Sequence, residues 1–253
     1  MDLGLAGKKA IITGGSRGIG LAIASRLLEE GASVGISARG QDGVDAAVKE
    51  LSQKGTVVGA TLDVGDGEAL TAWVDDMAGQ LGGIDIVVSN ASGGGQGTSA
   101  KDFQSVLDVD VLGLVRLVDA ATPKLVESGE ASIIAISTTA ALENFGPGTS
   151  AYNAMKAAVI NYVGGLAQNL AGKGVRANAI SPGPIMIEGG SWDFIKENMT
   201  PFYDSTVATQ PQGRLGSAAE VANVAAFLAS PAASWVNGEN IVVDGGFTKR
   251  VAY

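Results

Sequence analysis

Short runs of apolar residues alternate with longer amphipathic stretches from residue 9 to about residue 243. The short runs cover residues 10–13, 33–37, 57–61, 84–89, 132–137, 176–180 and 241–243. Several are almost unbroken in Val, Ile and Ala, as expected of parallel strands covered on both faces. Between them, residues 19–30, 69–80, 103–126, 151–170 and 218–228 repeat apolar positions at the period of a helix with one buried face. Strand alternating with helix predicts right-handed crossovers and a doubly wound parallel α/β sheet flanked by helices. No repeat, low-complexity linker or compositional break interrupts the 253 residues, which predicts a single domain.

Residues 188–212 break the alternation. Trp192, Phe194, Ile195, Met199, Phe202 and Tyr203 stand there among polar residues. Aromatics in a long insertion near the carboxyl edge of a sheet fit a segment covering a ligand. They fit equally a small helical pair packed on the body.

Composition narrows the chemistry. The chain has no cysteine and no histidine. Disulfides, thiolate nucleophiles and Ser-His-Asp triads are therefore excluded, and a metal site would need carboxylates alone. A general acid has to be Tyr, Lys, Asp or Glu. The formal charge of -9 disfavours nucleic acid and anionic membranes as partners. No run of eighteen apolar residues and no charged segment ahead of an apolar signal core is present, so a cytoplasmic location is expected.

The first strand run ends at Thr13 and is followed by Gly14, Gly15, Ser16, Arg17, Gly18, Ile19 and Gly20, then by a helical pattern. Gly14 permits a tight turn, while Gly18 and Gly20 let the backbone approach a pyrophosphate and the helix pack on the strand. The amides and positive end of the new helix attract phosphate charge. A turn without ligand would use the same glycines, but their place between strand and helix favours a dinucleotide. After the second strand come Ile36, Ser37, Ala38 and Arg39, with no acid to receive a ribose 2′-hydroxyl. Arg39 and Arg17 instead suit a 2′-phosphate, which predicts NADP(H).

Tyr152 and Lys156 are four residues apart in a helical segment, so both share one face. A nearby ammonium favours tyrosinate, and such a phenol can pass a proton to or from a carbonyl oxygen. Joined to the glycine loop, this pair resembles the short-chain dehydrogenase/reductase family along essentially the whole chain. The matching pieces are Thr13 with Gly14, Gly18 and Gly20; Asp63-Val64; Asn90-Ala91; Tyr152 with Lys156; Pro182-Gly183; and Val243 followed by Asp244, Gly245 and Gly246. The resemblance implies a Rossmann-type domain with a seven-stranded parallel sheet, forming a homodimer or homotetramer. It implies further that Asp63 and Val64 lie beside the adenine, while Asn90 and Ala91 line the cofactor cleft. Pro182 and Gly183 would hold the nicotinamide, with Ile185 offering backbone groups to its carboxamide. Lys156 would bond the nicotinamide ribose and tune Tyr152.

Three positions depart from the family pattern. Ser92 stands where a glycine normally follows the Asn-Ala pair, with Gly93, Gly94 and Gly95 behind it. The family's catalytic serine has no single match. Thirteen residues before Tyr152 lies Thr139, whereas the end of the fifth strand selects Thr138, with Ser137 beside it. Thr138 is preferred, because strand alternation points Ser137 the other way, and a threonine hydroxyl makes the same hydrogen bond. Asp110 replaces the asparagine that holds a relay water in the family. Its carboxylate is nearly isosteric, and its charge would hold Lys156 as the ammonium whose field Tyr152 feels.

These readings predict an NADP(H)-dependent oxidoreductase interconverting a ketone or aldehyde and an alcohol, with an apolar small-molecule substrate. Tyr152, Lys156, Thr138 or Ser137, and Asp110 would be its catalytic residues. The alternatives are a 3-oxoacyl thioester reductase, an isomerase or dehydratase with the same cofactor, or a non-catalytic dinucleotide-binding protein. Carrier-protein recognition would favour a basic patch, and Lys101, Lys173 and Arg176 are scattered along the chain.

Overall fold

The computed structural model describes residues 2–94, 97–145 and 150–249. In chain order its strands are β1 (Lys9–Thr13), β2 (Ser33–Ala38), β3 (Val57–Thr61), β4 (Ile86–Ser89), β5 (Ala131–Ile136), β6 (Val175–Pro182), β7 (Ile185–Met186), β8 (Gly216–Ser217) and β9 (Asn240–Val243). The helices are α1 (Gly18–Glu29), α2 (Gln41–Leu51), α3 (Gly67–Leu81), α4 (Ala100–Val106), α5 (Leu112–Ser128), α6 (Ala151–Leu170), α7 (Ser191–Asn198), α8 (Thr200–Thr209) and α9 (Ala218–Ala229).

Seven strands form one parallel sheet in the order β3-β2-β1-β4-β5-β6-β9. The order reverses between β1 and β4, which opens a crevice at their carboxyl ends, where doubly wound sheets bind ligands. Two apolar layers cover the faces. Ile12, Val34, Ile36, Val88 and Ile134 pack with Ile23, Leu27 and Val221 on one side. Ile11, Val87 and Ile133 pack with Trp73, Met77, Leu117 and Val163 on the other. Burial on both faces explains why these strand runs carry no polar alternation.

Local signals set the helix ends. Asp66 caps α3 by accepting from the N–H groups of Glu68 and Ala69, both at 3.1 Å. Ser217 and Glu220 form a reciprocal capping box on α9. Gly82 and Gly129 close α3 and α5 in the left-handed region, at φ 78° and 73°.

The structure departs from the periodicity in two places. Residues 84–85 lead into β4 as coil, with the Asp85 carboxylate accepting the Lys9 N–H at 2.7 Å. The 103–126 pattern begins earlier, as α4, and is divided from α5 by a π-helical turn at Leu107–Val111. That extra residue in the winding turns Asp110 into the interior. Residues 188–212 contain the helical pair α7 and α8, with Trp192 stacked on Phe202 at a 6.0 Å centroid distance. Among the described residues no helix is long and apolar enough to cross a membrane.

Candidate active site

The glycine loop occupies the crevice at the carboxyl end of β1. Gly14 and Gly18 have φ of +67° and +58°, a region that side chains with a Cβ adopt at a cost. At Gly20, in the first turn of α1, a Cβ would collide with the Gly14 carbonyl oxygen. The loop is also tied to β4. Asn90 Nδ2 donates to the carbonyls of Thr13 and Gly14 at 3.1 and 2.9 Å, and Thr13 Oγ1 accepts the Asn90 and Ala91 N–H groups. Asn90 therefore holds the turn as well as lining the crevice.

The cleft has a volume of about 610 Å³. Gly14, Ser16, Arg17, Gly18 and Ile19 line it from the loop, and Arg39 from the end of β2. Asp63, Val64, Asn90 and Ala91 line it from the ends of β3 and β4. Gly20 lies beneath, as a packing position. Arg17 and Arg39 are exposed where they line the cleft, and the half-buried Ala38 lines it beside Arg39. The open glycine cradle and the helix N-terminus fit the pyrophosphate of a nicotinamide dinucleotide.

A second group gathers around the start of α6. Ser150 caps that helix by accepting the Asn153 N–H at 3.1 Å. Lys156, one turn after Tyr152, is 3% exposed, and its Nζ lies 5.7 Å from the Tyr152 ring centroid. Nζ donates to the Ile136 carbonyl at 2.8 Å and forms an ion pair with Asp110 Oδ1 at 2.9 Å. This approach is a charge contact without the direction of a hydrogen bond, so Oδ1 keeps an unfilled acceptor site. Asp110 Oδ2 accepts the Gly93 N–H at 2.7 Å. Gly93 and Val109 both line the cleft, so this one hydrogen bond joins the two groups.

Ser137 and Thr138 turn opposite ways. Ser137 Oγ is buried and donates to the Lys156 carbonyl at 3.0 Å. Thr138, half-buried, accepts the Ala140 N–H at 3.2 Å, which leaves its own O–H to donate. Thr139 is buried. Pro182 closes β6, and Gly183 packs so closely on Asp244 that a Cβ would come within 2.7 Å of the Asp244 Cβ. The Ile185 side chain lies in the apolar layer shared with α9, so only its backbone can serve a ligand. Tyr152, Lys156, Thr138, Pro182, Gly183 and Ile185 do not line the 610 Å³ cleft itself. Among the described residues no cluster of metal-ligating side chains occurs.

A family model described as enoyl-(acyl carrier protein) reductase matches residues 14–248. Isoepoxydon dehydrogenase of Penicillium expansum is 40% identical over 250 residues, covering 97% of this chain and 96% of that protein. The chain belongs to the short-chain dehydrogenase/reductase family. Another similar member, 7alpha-hydroxysteroid dehydrogenase of Escherichia coli, is 35% identical over 97% of this chain and 96% of its own. Among solved structures, L-sorbose reductase from Gluconobacter frateurii, complexed with NADPH and L-sorbose, superposes with a TM-score of 0.90. It is 31% identical and covers 99% of this chain and 100% of that one.

Residues of the family motifs line the loop side and the strand ends of the cleft, but much of its wall comes from elsewhere. Ile187 and Glu188 close it from beyond β7, and a Cβ on Gly18 would meet Ile187 at 3.3 Å. No spacing links positions so far apart. Ser37 and Gly43 also line the cleft. For Gly43 a signal existed: Val44, Ala47 and Leu51 mark the buried face of α2, the helix in whose first turn it lies.

Proposed function

We propose that this short-chain dehydrogenase/reductase interconverts a ketone or aldehyde and an alcohol with NADP(H). The observation that carries the reading is the buried Lys156 ammonium, 5.7 Å from the Tyr152 ring centroid and one hydrogen-bonded step from the cleft. Burying a lysine is costly, and its place beside Tyr152 favours a catalytic role over a purely structural one.

Arg17 and Arg39 would hold the 2′-phosphate, Gly18 and Ile19 the pyrophosphate, and Asp63 and Val64 the adenine. Pro182, Gly183 and the Ile185 backbone would take the nicotinamide end. When bound, the cofactor supplies or receives the hydride. Thr138 Oγ1 donates to the substrate oxygen and fixes its position. Tyr152 Oη delivers a proton to that oxygen in reduction and withdraws it in oxidation. Lys156 stabilises the tyrosinate electrostatically and bonds the ribose, while Asp110 anchors Lys156 and the Gly93 loop. Ser137 supports α6 through the Lys156 carbonyl and does not meet the substrate.

The helical pair α7 and α8 presents exposed Phe194, Met199 and Phe202, which fits an insertion covering an apolar substrate. The description of the family model favours a second substrate class, an acyl thioester. Against it, Lys173 and Arg176 sit before and within the start of β6, at the edge of the sheet opposite the cleft. The Arg176 guanidinium donates to the Leu228, Ser230 and Val236 carbonyls.

Turnover of a panel of cyclic ketones, open-chain ketones and 3-oxoacyl thioesters, with NADPH and with NADH, tests the reading. NADPH-dependent turnover of ketones that falls at least a hundredfold in Tyr152→Phe is expected. Tight NADPH binding without turnover of any carbonyl or alcohol would leave a binding protein, and preference for NADH would overturn the role of Arg17 and Arg39.

A further inference from the structure

Ser37 lines the cleft, yet it is 1% exposed and its Oγ meets no hydrogen-bond partner among the described residues. It interrupts the run Val34, Gly35 and Ile36 just where β2 ends. A hydroxyl sealed from water without a partner is destabilising, and native chains rarely keep one without a use. Its direction follows from the strand. Ile36 lies in the apolar layer shared with α1, so Ser37 points to the opposite face. There it stands in register with Thr13, whose Oγ1 is occupied by the Asn90 and Ala91 N–H groups at the cleft wall. The Ser37 carbonyl is engaged as well, accepting the Gly15 N–H at 2.9 Å. Only the hydroxyl is left over, and rotation about Cα–Cβ is enough to turn it toward the cleft.

The geometry points to Ser37 as the hydrogen-bond donor to the adenosine half of the dinucleotide, to a ring nitrogen or ribose oxygen. This rests on the dinucleotide reading of the cleft. Leu62 and Val64 give the neighbouring lining its apolar faces, suited to a flat base. Arg17 and Arg39 stand at the exposed rim, where a phosphate keeps its water. Ser37 lies deeper than either cation, so it reads the adenosine and not the phosphate. The bound nucleotide removes an unsatisfied donor, which makes Ser37 a group whose cost is borne by the empty protein and relieved by the ligand.

The test is calorimetric binding of adenosine 2′,5′-bisphosphate, adenosine 5′-monophosphate and nicotinamide mononucleotide to the full chain, wild type and Ser37→Ala, with melting temperatures of the empty proteins. Ser37→Ala should weaken both adenosine nucleotides about fivefold to tenfold. It should leave nicotinamide mononucleotide within twofold, and the empty variant should melt no lower than wild type. Arg39→Ala, by contrast, should weaken only the bisphosphate. Unchanged binding of both adenosine nucleotides overturns the assignment, and a loss confined to the bisphosphate overturns it in favour of a phosphate contact. If Ser37→Ala does not fold, Ser37→Cys keeps the volume with a weaker donor and should show the same selective loss. Wild type that binds no adenosine nucleotide would instead remove the dinucleotide reading itself.

Discussion

Asp110 and Lys156 are almost fully buried, and each is what makes the other tolerable. Removing one partner leaves an uncompensated interior charge, at a cost of roughly 3–5 kcal/mol. Asp110→Ala should therefore lower stability by that order in urea unfolding, besides releasing the Gly93 N–H. Asp110→Asn is milder, since the amide oxygen can still accept from Gly93. It removes one negative charge 2.9 Å from Lys156 Nζ and leaves the ammonium to act on Tyr152 alone. Turnover should persist in Asp110→Asn, with a smaller loss of stability than in Asp110→Ala. Loss of turnover in a folded Asp110→Asn protein would show that the carboxylate charge itself is required. That Asp110 replaces an asparagine was legible from the motif order, but its second bond, to Gly93, was not. It joins residues seventeen apart across a π-helical turn that no periodicity announces.

At the level of elements, the segment after β9 fastens the carboxyl edge of the sheet. Asp244 accepts the Gly246 and Thr248 N–H groups and the Thr248 hydroxyl, and Phe247 then stacks on Phe145 at 4.6 Å. The Lys249 N–H donates to Glu143 in the segment that follows Thr138. Burial pushes the Asp244 carboxyl up, but the bonds from Thr248, Gly246 and Phe247 outweigh it and hold the carboxyl below its ordinary range. A lowered folded-state value means the turn stabilises fully above the unfolded-chain value, about 3.9, and weakens as pH falls through the folded one. Urea midpoints of wild type and Asp244→Asn should thus differ near pH 7 and converge below about pH 4. Equal midpoints near pH 7 would show that the charge contributes nothing. The glycine loop behaves differently, because its constraint is steric. Gly20→Ala should abolish nucleotide binding, since the added methyl meets the Gly14 carbonyl, a backbone atom that cannot step aside alone.

For the whole molecule, the parallel sheet places the ends of β1, β2, β3 and β4 around one crevice and the ends of β5, β6 and β9 beside it. The residues proposed to bind the cofactor and those proposed for catalysis thereby face a common edge. The long helices α5 and α6 cover the sheet, and the proposal that the protein is a homodimer or homotetramer places their outer faces between subunits. Light scattering at micromolar concentration should give a mass of two or four times 25.4 kDa. A monomer mass would leave α5 and α6 as sheet cover only.

Local patterns were sufficient for much of this. Unbroken apolar runs, the glycine spacing after Thr13, and a tyrosine and lysine one helical turn apart are all read within a few residues. They determined the parallel sheet, the place of the cleft and the central pair. Tertiary structure alone decided that the inward-facing Ser137 bonds the Lys156 carbonyl and that Ile187 closes the cleft over Gly18. It alone showed that Asp110 also bonds Gly93 and that Ser37 Oγ has no partner among the described residues. The physical reason is range. Backbone periodicity and turn chemistry act between neighbours in the chain, whereas a buried charge or hydroxyl is defined by what distant segments bring against it.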